Sequence, residues 1–94
     1  MRYPIMIETG DNNTAWSVVV PDLPGCHSAG DTLDDAMMAA EEAAAAWIDA
    51  ALDAGHTIPA PSQDHEILKK DVYNGWGINH VFVDVERILP GINM

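Results

Sequence analysis

The chain has few basic residues and no long apolar run, and each shortage excludes a class of protein. Four lysines and arginines stand against fifteen aspartates and glutamates, which gives a formal net charge of -11. Such a balance repels nucleic-acid phosphates and anionic membranes, so we expect neither as a partner. It favours a basic partner, or simply a strongly charged soluble domain. No apolar stretch approaches the roughly 20 residues that a membrane-spanning helix requires.

Cysteine is also scarce, since Cys26 stands alone. One cysteine cannot form an intrachain disulfide, and a reducing cytoplasm is therefore the expected location. The N-terminus runs directly into a polar-interrupted strand pattern, without the apolar region or cleavage site of a signal peptide. With 94 residues, of which 48% are hydrophobic, we expect one globular domain over residues 1–94.

The first third of the chain predicts three short strands. Apolar alternation favours strands over Tyr3–Glu8, Ala15–Val20 and Cys26–Ala29. The first two are separated by the turn-forming run Gly10–Asn13, which suits a hairpin. Pro21 cannot donate to a strand ladder and ends the second strand. Consecutive strands with such tight connections indicate an antiparallel meander.

A long amphipathic helix follows. Asp31 and Thr32 offer side-chain oxygens for its N-cap, and Gly55 suits the position just after its end near Asp53. The spacing of apolar residues predicts one buried stripe. Its members are Leu33, Met37, Ala40, Ala44, Trp47 and Ala51. The opposite face carries only acidic charge, without a basic residue in the helix.

The last third is predicted as a linker, a short helix and a fourth strand. The proline-rich linker spans residues 58–62, and Ser62 is predicted to cap a helical segment that reaches about Lys70. A fourth strand is predicted over Ile78–Glu86, with Val81, Val83 and Val85 on one face. The resulting order is β-β-β-α-β, an α+β fold with one helix packed on a small, mainly antiparallel sheet.

Several of these motifs together resemble the HicB-like antitoxin domain of type II toxin–antitoxin systems. The run Pro21–Cys26, followed by Gly30-Asp31-Thr32, is the most specific part of the resemblance. Further matches in the same order are Tyr3-Pro4-Ile5, Ala36, Trp47, the run Ile58–Ser62 and, in the last strand, Val83-Asp84-Val85. The resemblance covers nearly the whole chain and implies a partial RNase H-like fold.

The resemblance also implies a function and a partner. Members of this family bind and neutralise a small, basic HicA-type toxin that degrades mRNA, and they tend to form dimers or larger homo-oligomers. An acidic antitoxin suits such a toxin, because complementary charge speeds encounter and selects the partner. Many members also carry a C-terminal DNA-binding module. Here about eight residues follow the last predicted strand, so we expect no direct nucleic-acid binding by this chain.

Expected exposure and charge predict five residues for a partner interface. Asp34, Glu41 and Glu42 lie on the acidic helix face, while Trp76 and Phe82 are aromatic residues near a sheet edge. The fourth strand is long and apolar, and an exposed strand edge is normally covered or paired. Pairing with the same strand of a second copy would give a homodimer.

Two other functions remain open from the sequence. The first is a homo-oligomeric regulatory or interaction module without a toxin. The second, less favoured, is a metal-dependent nuclease, whose carboxylates would be sought near strand ends and on the helix. The candidates are Asp11, Asp22, Asp84 and Glu86, with Glu41 or Glu42. The four histidines show no metal-ligand spacing, so we expect no metal, no cofactor and no enzymatic activity.

Overall fold

The computed structural model describes residues 1–84, which form the predicted α+β arrangement. The strands are β1 (Arg2–Glu8), β2 (Trp16–Val19), β3 (His27–Gly30) and β4 (Gly77–Phe82). The helices are α1 (Leu33–Asp53) and α2 (Asp64–Leu68), followed by a single 3-10 turn at Asp71–Tyr73. No helix among these residues combines the length and the apolar character needed to cross a membrane.

All neighbouring strands in the sheet are antiparallel, in the order β3-β2-β1-β4. Met1 and Val83 exchange backbone hydrogen bonds of 2.6 and 2.7 Å. Because bonded pairs alternate along an antiparallel ladder, Pro4 turns its nitrogen towards β2 and not towards β4. The β2 ladder has already ended there, since its last pair is Met6 with Val19. A proline is therefore tolerated inside a central strand.

Helix α1 covers one face of the sheet and forms the core with it. Thr32 caps the helix as predicted, its hydroxyl accepting a 3.1 Å bond from the Asp35 amide. The helix residues that are buried against the sheet are mainly alanines, namely Ala36, Ala40, Ala44, Ile48 and Ala51. Small side chains allow a close approach, and the Ser28 hydroxyl donates directly to the Ala36 carbonyl at 3.0 Å.

The opposite face of the sheet is partly covered as well. Met6 points away from α1 and is fully buried, and Ile67 of α2 is 2% exposed. His80, which also points away from α1, contacts the Asp64 carboxylate of α2 at 2.8 Å. Helix α2 therefore packs on the side of the sheet opposite α1, and β1 is buried on both faces.

Several element boundaries differ from the sequence prediction. Strand β4 ends at Phe82, so Val83 and Asp84 lie outside it; Val85 and Glu86 fall outside the described residues. Ser62 does not cap α2, because its side chain bonds elsewhere and Gln63 takes the cap position. The predicted helix to Lys70 breaks after Leu68 into the separate 3-10 turn.

The remaining boundary shifts are small. Strand β2 lacks the predicted terminal residues Ala15 and Val20, and β3 begins one residue later, at His27. Trp47 was predicted to lie in the core, and the structure places it half-buried at the edge of the core. Trp16 packs against the same core, on the face of β2 that also carries Val18.

Candidate partner-binding surface

The outer surface of α1 carries a continuous array of carboxylates, which we call the acidic face. Its members are Asp34, Asp35, Glu41, Glu42, Asp49 and Asp53, all exposed. No lysine, arginine or histidine occurs between Leu33 and Asp53 to neutralise them. The helix buries its alanine stripe against the sheet, so these carboxylates must face solvent. Three of the five residues predicted for a partner interface, Asp34, Glu41 and Glu42, lie here.

Met38 is an apolar residue in the middle of the acidic face. It is 62% exposed. It follows Asp34 by one helical turn and precedes Glu41 and Glu42 by one turn, so it is flanked by carboxylates on both sides. Met38 was not among the residues predicted for the interface, although its position off the buried stripe was a usable signal. A flexible exposed methionine among charges is suited to contact an apolar spot on a basic partner.

Phe82 lies on a different surface. Its cross-strand partner is Arg2, and its neighbour Val81 points into the α1 core, so Phe82 points away from α1. It is 66% exposed. The acidic face and Phe82 therefore lie on opposite sides of the sheet, and the place of Phe82 in a partner interface stays a prediction.

Trp76 is the fifth residue predicted for the interface. It follows the 3-10 turn and is half-buried. Its ring packs edge-on against Tyr73, with centroids 5.5 Å apart and an interplanar angle of 65°. Part of its surface is thus used within the chain, and its place in a partner interface stays a prediction.

The proline-rich corner at residues 21–26 serves as a structural clamp. The Asp22 carboxylate accepts a 2.8 Å bond from the Ser62 amide and a 2.5 Å bond from the Ser62 hydroxyl. The Trp47 indole donates to the Pro24 carbonyl at 2.9 Å. The corner thereby holds both the long helix and the linker that leads to α2. These contacts give Asp22 and Pro24 of the Pro21–Cys26 motif a structural role.

Tyr3 adds a further bond to the same linker. Its hydroxyl donates to the Pro59 carbonyl at 2.7 Å. Burial of the ring raises the pKa of the Tyr3 hydroxyl above its usual value, and the negative charge of Asp22 raises it further. The hydroxyl therefore keeps the proton that the bond to Pro59 requires.

The carboxylates considered for a nuclease site are spread over the fold. Asp11 accepts bonds from the amides of Asn13 and Thr14, at 2.7 and 2.8 Å, and so shapes the β1–β2 turn. Asp22 is engaged by Ser62, and Glu41 and Glu42 point to solvent on α1. Asp84 follows the end of β4, and Glu86 lies outside the described residues. Within residues 1–84, no three histidine, cysteine or acidic side chains come close enough to hold a metal ion.

Cys26 and His27 do not form a reactive pair. Cys26 is 5% exposed, whereas His27 is exposed on β3. Burial raises the pKa of the Cys26 thiol, which favours the unreactive protonated form. The cysteine is best understood as a small apolar core residue.

The architecture described here is that of the N-terminal domain of HicB antitoxins. The crystal structure of that domain from Burkholderia pseudomallei superimposes with a TM-score of 0.76 at 32% identity, covering 89% of this chain and 99% of that one. The family model for the HicB-like antitoxin of bacterial toxin–antitoxin systems matches residues 3–92. The chain therefore belongs to the HicB-like antitoxin family.

Two curated proteins are also similar in sequence. An uncharacterised 14.9 kDa protein of Haemophilus phage HP1 is 36% identical over 89 residues, and Antitoxin HicB 2 of Photorhabdus laumondii is 35% identical over 66 residues. This chain spans 65% of the first protein and 46% of the second. A structure described as a HicA3 and HicB3 toxin–antitoxin complex matches with a TM-score of 0.73 at 31% identity, covering 89% of this chain and 99% of that chain.

Proposed function

We propose that this chain acts as a single cytoplasmic domain that binds and neutralises a small, basic HicA-type toxin that degrades mRNA. Membership of the HicB-like antitoxin family supports the role, and the relative described as a HicA3 and HicB3 complex supports the type of partner. The single observation on this chain that carries the proposal is the acidic face of α1, which is exposed and contains no basic residue.

We assign the toxin to the acidic face, with Met38 as its apolar anchor. Opposite charge on the two proteins raises the rate of encounter, and this attraction weakens as salt screens it. Charge alone gives little net affinity at an exposed surface, because water and salt weaken the attraction and ordering two long side chains costs entropy. A methionine that is 62% exposed supplies apolar area for desolvated contact beside the charges.

Neutralisation of this kind requires no chemistry from the antitoxin. A folded domain that covers the toxin's catalytic or RNA-binding surface excludes the substrate by occupying its place. The carboxylates of the acidic face would also repel RNA phosphates near the complex. The same net charge of -11 makes direct nucleic-acid binding by this chain unfavourable.

The test is capture of the toxin from the native cytoplasm with tagged chain, at moderate and at high salt. We expect a small basic protein to co-purify at moderate salt and to be released at high salt. With that protein in hand, Glu41→Lys should weaken binding roughly tenfold, since it reverses one charge beside Met38. Met38→Ala should also weaken binding, but with the salt dependence retained.

Glu8→Lys is the matched control. It makes the same change in net charge at an exposed residue on the sheet face away from α1. Equal losses from Glu41→Lys and Glu8→Lys would contradict the assignment to the acidic face. Failure to capture any protein that degrades RNA would count against the antitoxin role and favour a homo-oligomeric module.

A further inference from the structure

Strand β3 lies at one end of the sheet and presents an open edge. It pairs with β2 on one side, and within residues 1–84 no strand pairs with its other side. The Val20 N–H donates to the carbonyl of Cys26, which lies opposite it in the register of the two strands, at 3.0 Å. Because bonded pairs alternate along an antiparallel ladder, the N–H and C=O groups of His27 and Ala29 point outward from the sheet.

These outward groups have no substitute partner in the described part of the chain. No hydrogen bond of residues 1–84 uses the amide of His27 or Ala29. At the β4 edge, by contrast, the His80 amide donates to the side-chain oxygen of Asn79 at 2.8 Å. Strand β3 also lacks the lysine, proline or bulge with which many proteins block an exposed edge. The edge is therefore open to an arriving strand.

Acidic side chains flank the Gly30 end of this edge. Asp31 lines a surface cavity together with Asp11 of the β1–β2 turn. A Cβ on Gly30 would lie 2.9 Å from the Asp35 Cβ, so the first turn of α1, with its exposed carboxylates, starts directly over the strand. The lysines and the arginine among the described residues lie after α2 and in β1, away from this edge. The edge is thus bordered by negative charge only.

This charge distinguishes between possible occupants of the edge. A second copy would bring its own net charge of -11 against these carboxylates, and nucleic acid would be repelled in the same way. A basic protein segment gains twice, from hydrogen bonds to the strand and from attraction to the acidic side chains. The acidic face adjoins the edge, because α1 packs mainly on β3.

We propose that an extended, basic segment of the toxin adds to β3 as a fifth strand of the sheet. The inference rests on the proposed antitoxin function and names a second part of the surface that binds the toxin. His27 and Ala29 offer two N–H and two C=O groups to the segment, and the carboxylates at the start of α1 attract its positive charges. The backbone bonds fix the position of the toxin, while the acidic face and Met38 contact the rest of its surface.

A proline at the edge tests the pairing. Ala29→Pro removes an N–H that points away from β2, so the ladder of the free chain keeps its bonds. We expect the dissociation constant for the captured HicA-type toxin to rise about tenfold or more, because one bond is lost and the ring blocks the arriving strand. Ala29→Ser is the matched control, since it keeps the N–H at the same position, and it should bind like the unchanged chain.

Hydrogen exchange of the unchanged chain is the second measurement, and it decides alone if Ala29→Pro does not fold. In the free chain we expect fast exchange at the amides of His27 and Ala29, and slow exchange at the Ser28 amide, which bonds to β2. Toxin should slow the exchange at His27 and Ala29. The outward amide of Ile78, at the β4 edge, should exchange at the same rate with and without toxin.

Two results would overturn the pairing and leave the antitoxin function intact. One is toxin that binds folded Ala29→Pro as tightly as Ala29→Ser, and the other is toxin that binds without slowing exchange at His27 and Ala29. Slower exchange at these amides on raising the concentration of the chain alone would assign the edge to a second copy. If the unchanged chain binds no toxin, the proposed function and this inference fail together.

Discussion

At the scale of single residues, Asp22 shows how a candidate catalytic carboxylate becomes a structural one. The sequence presents an aspartate between prolines near a strand end, a plausible metal ligand. The structure supplies two bonds from Ser62, a residue 40 positions later. A pairing over that distance has no local sequence signal, so the sequence alone could not have revealed it.

Replacing Asp22 should therefore lower stability. Asp22→Ala removes both bonds from Ser62, one to its hydroxyl and one to its amide. Hydrogen bonds to a charged group contribute about 1.5–3 kcal/mol each at most, so we expect a loss of about 2 kcal/mol in the free energy of unfolding. Urea denaturation measures the loss. The exposed Asp49→Ala on α1 is the control and should change stability little; an equal effect of the two variants would contradict the clamp.

The raised pKa of Tyr3 predicts that the free energy of unfolding falls at alkaline pH. Its pKa in the folded chain lies above the ordinary 10.0, because burial and the charge of Asp22 disfavour the ionised form. Below pH 10 both folded and unfolded chains keep the proton. Above it the unfolded chain ionises first, so the free energy of unfolding falls until the folded pKa is passed. Tyr3→Phe should remove this part of the alkaline loss.

Denaturation of the wild type and of Tyr3→Phe between pH 9 and 11 measures the difference. Tyr3→Phe should start less stable by about 1 kcal/mol, since the Pro59 carbonyl loses its donor. The two stability curves should then converge as pH rises. Parallel curves would show that Tyr3 is not the group responsible, and Tyr73→Phe serves as the control for loss of a tyrosine hydroxyl.

At the scale of elements, the junction of β3 and α1 explains the Gly30-Asp31-Thr32 motif. A Cβ on Gly30 would lie 2.5 Å from the Ala36 nitrogen and 2.8 Å from the Asp35 carbonyl carbon. Both are backbone atoms of the first turn of α1 and cannot move independently. The glycine lets the helix start directly over the strand, and Thr32 caps it two residues later.

Gly30→Ala should consequently push α1 off the sheet. Overpacking of this kind costs about 1–3 kcal/mol, and we expect the upper end because the atoms that must shift belong to the helix backbone. Thermal or urea unfolding measures the cost. A small effect of Gly30→Ala would mean that the helix start adapts easily and that the motif has another cause.

The sequence was sufficient for the elements whose signals are local. The caps and alanine stripe of α1 and the turn residues between strands predict the order of the elements, and they place β1, β2, β3 and the end of α1 to within about one residue, because each signal acts within a few residues. The sequence did not predict that α2 packs on the side of the sheet opposite α1. This packing depends on Ile67 and on the contact between Asp64 and His80, which are 16 positions apart. The carboxylates of the acidic face were predicted to lie on the outer side of α1, whereas the exposed Met38 among them was not.

At the scale of the whole molecule, the sheet separates two exposed surfaces with different chemistry. One side carries the acidic face around Met38, and the other carries Phe82 beside the uncharged edge of β4. The residues predicted for a partner interface fall on both surfaces, and the sequence did not show on which side of the sheet each lies.

The central claim is that this chain inhibits a ribonuclease toxin by binding it. Its most direct test is a titration of purified HicA-type toxin, captured with this chain, in an assay of mRNA degradation. The account predicts that degradation falls in proportion to added chain and stops near one chain per toxin, with Glu41→Lys requiring more protein than Glu8→Lys. Degradation that continues unchanged at a large excess of folded chain would contradict it.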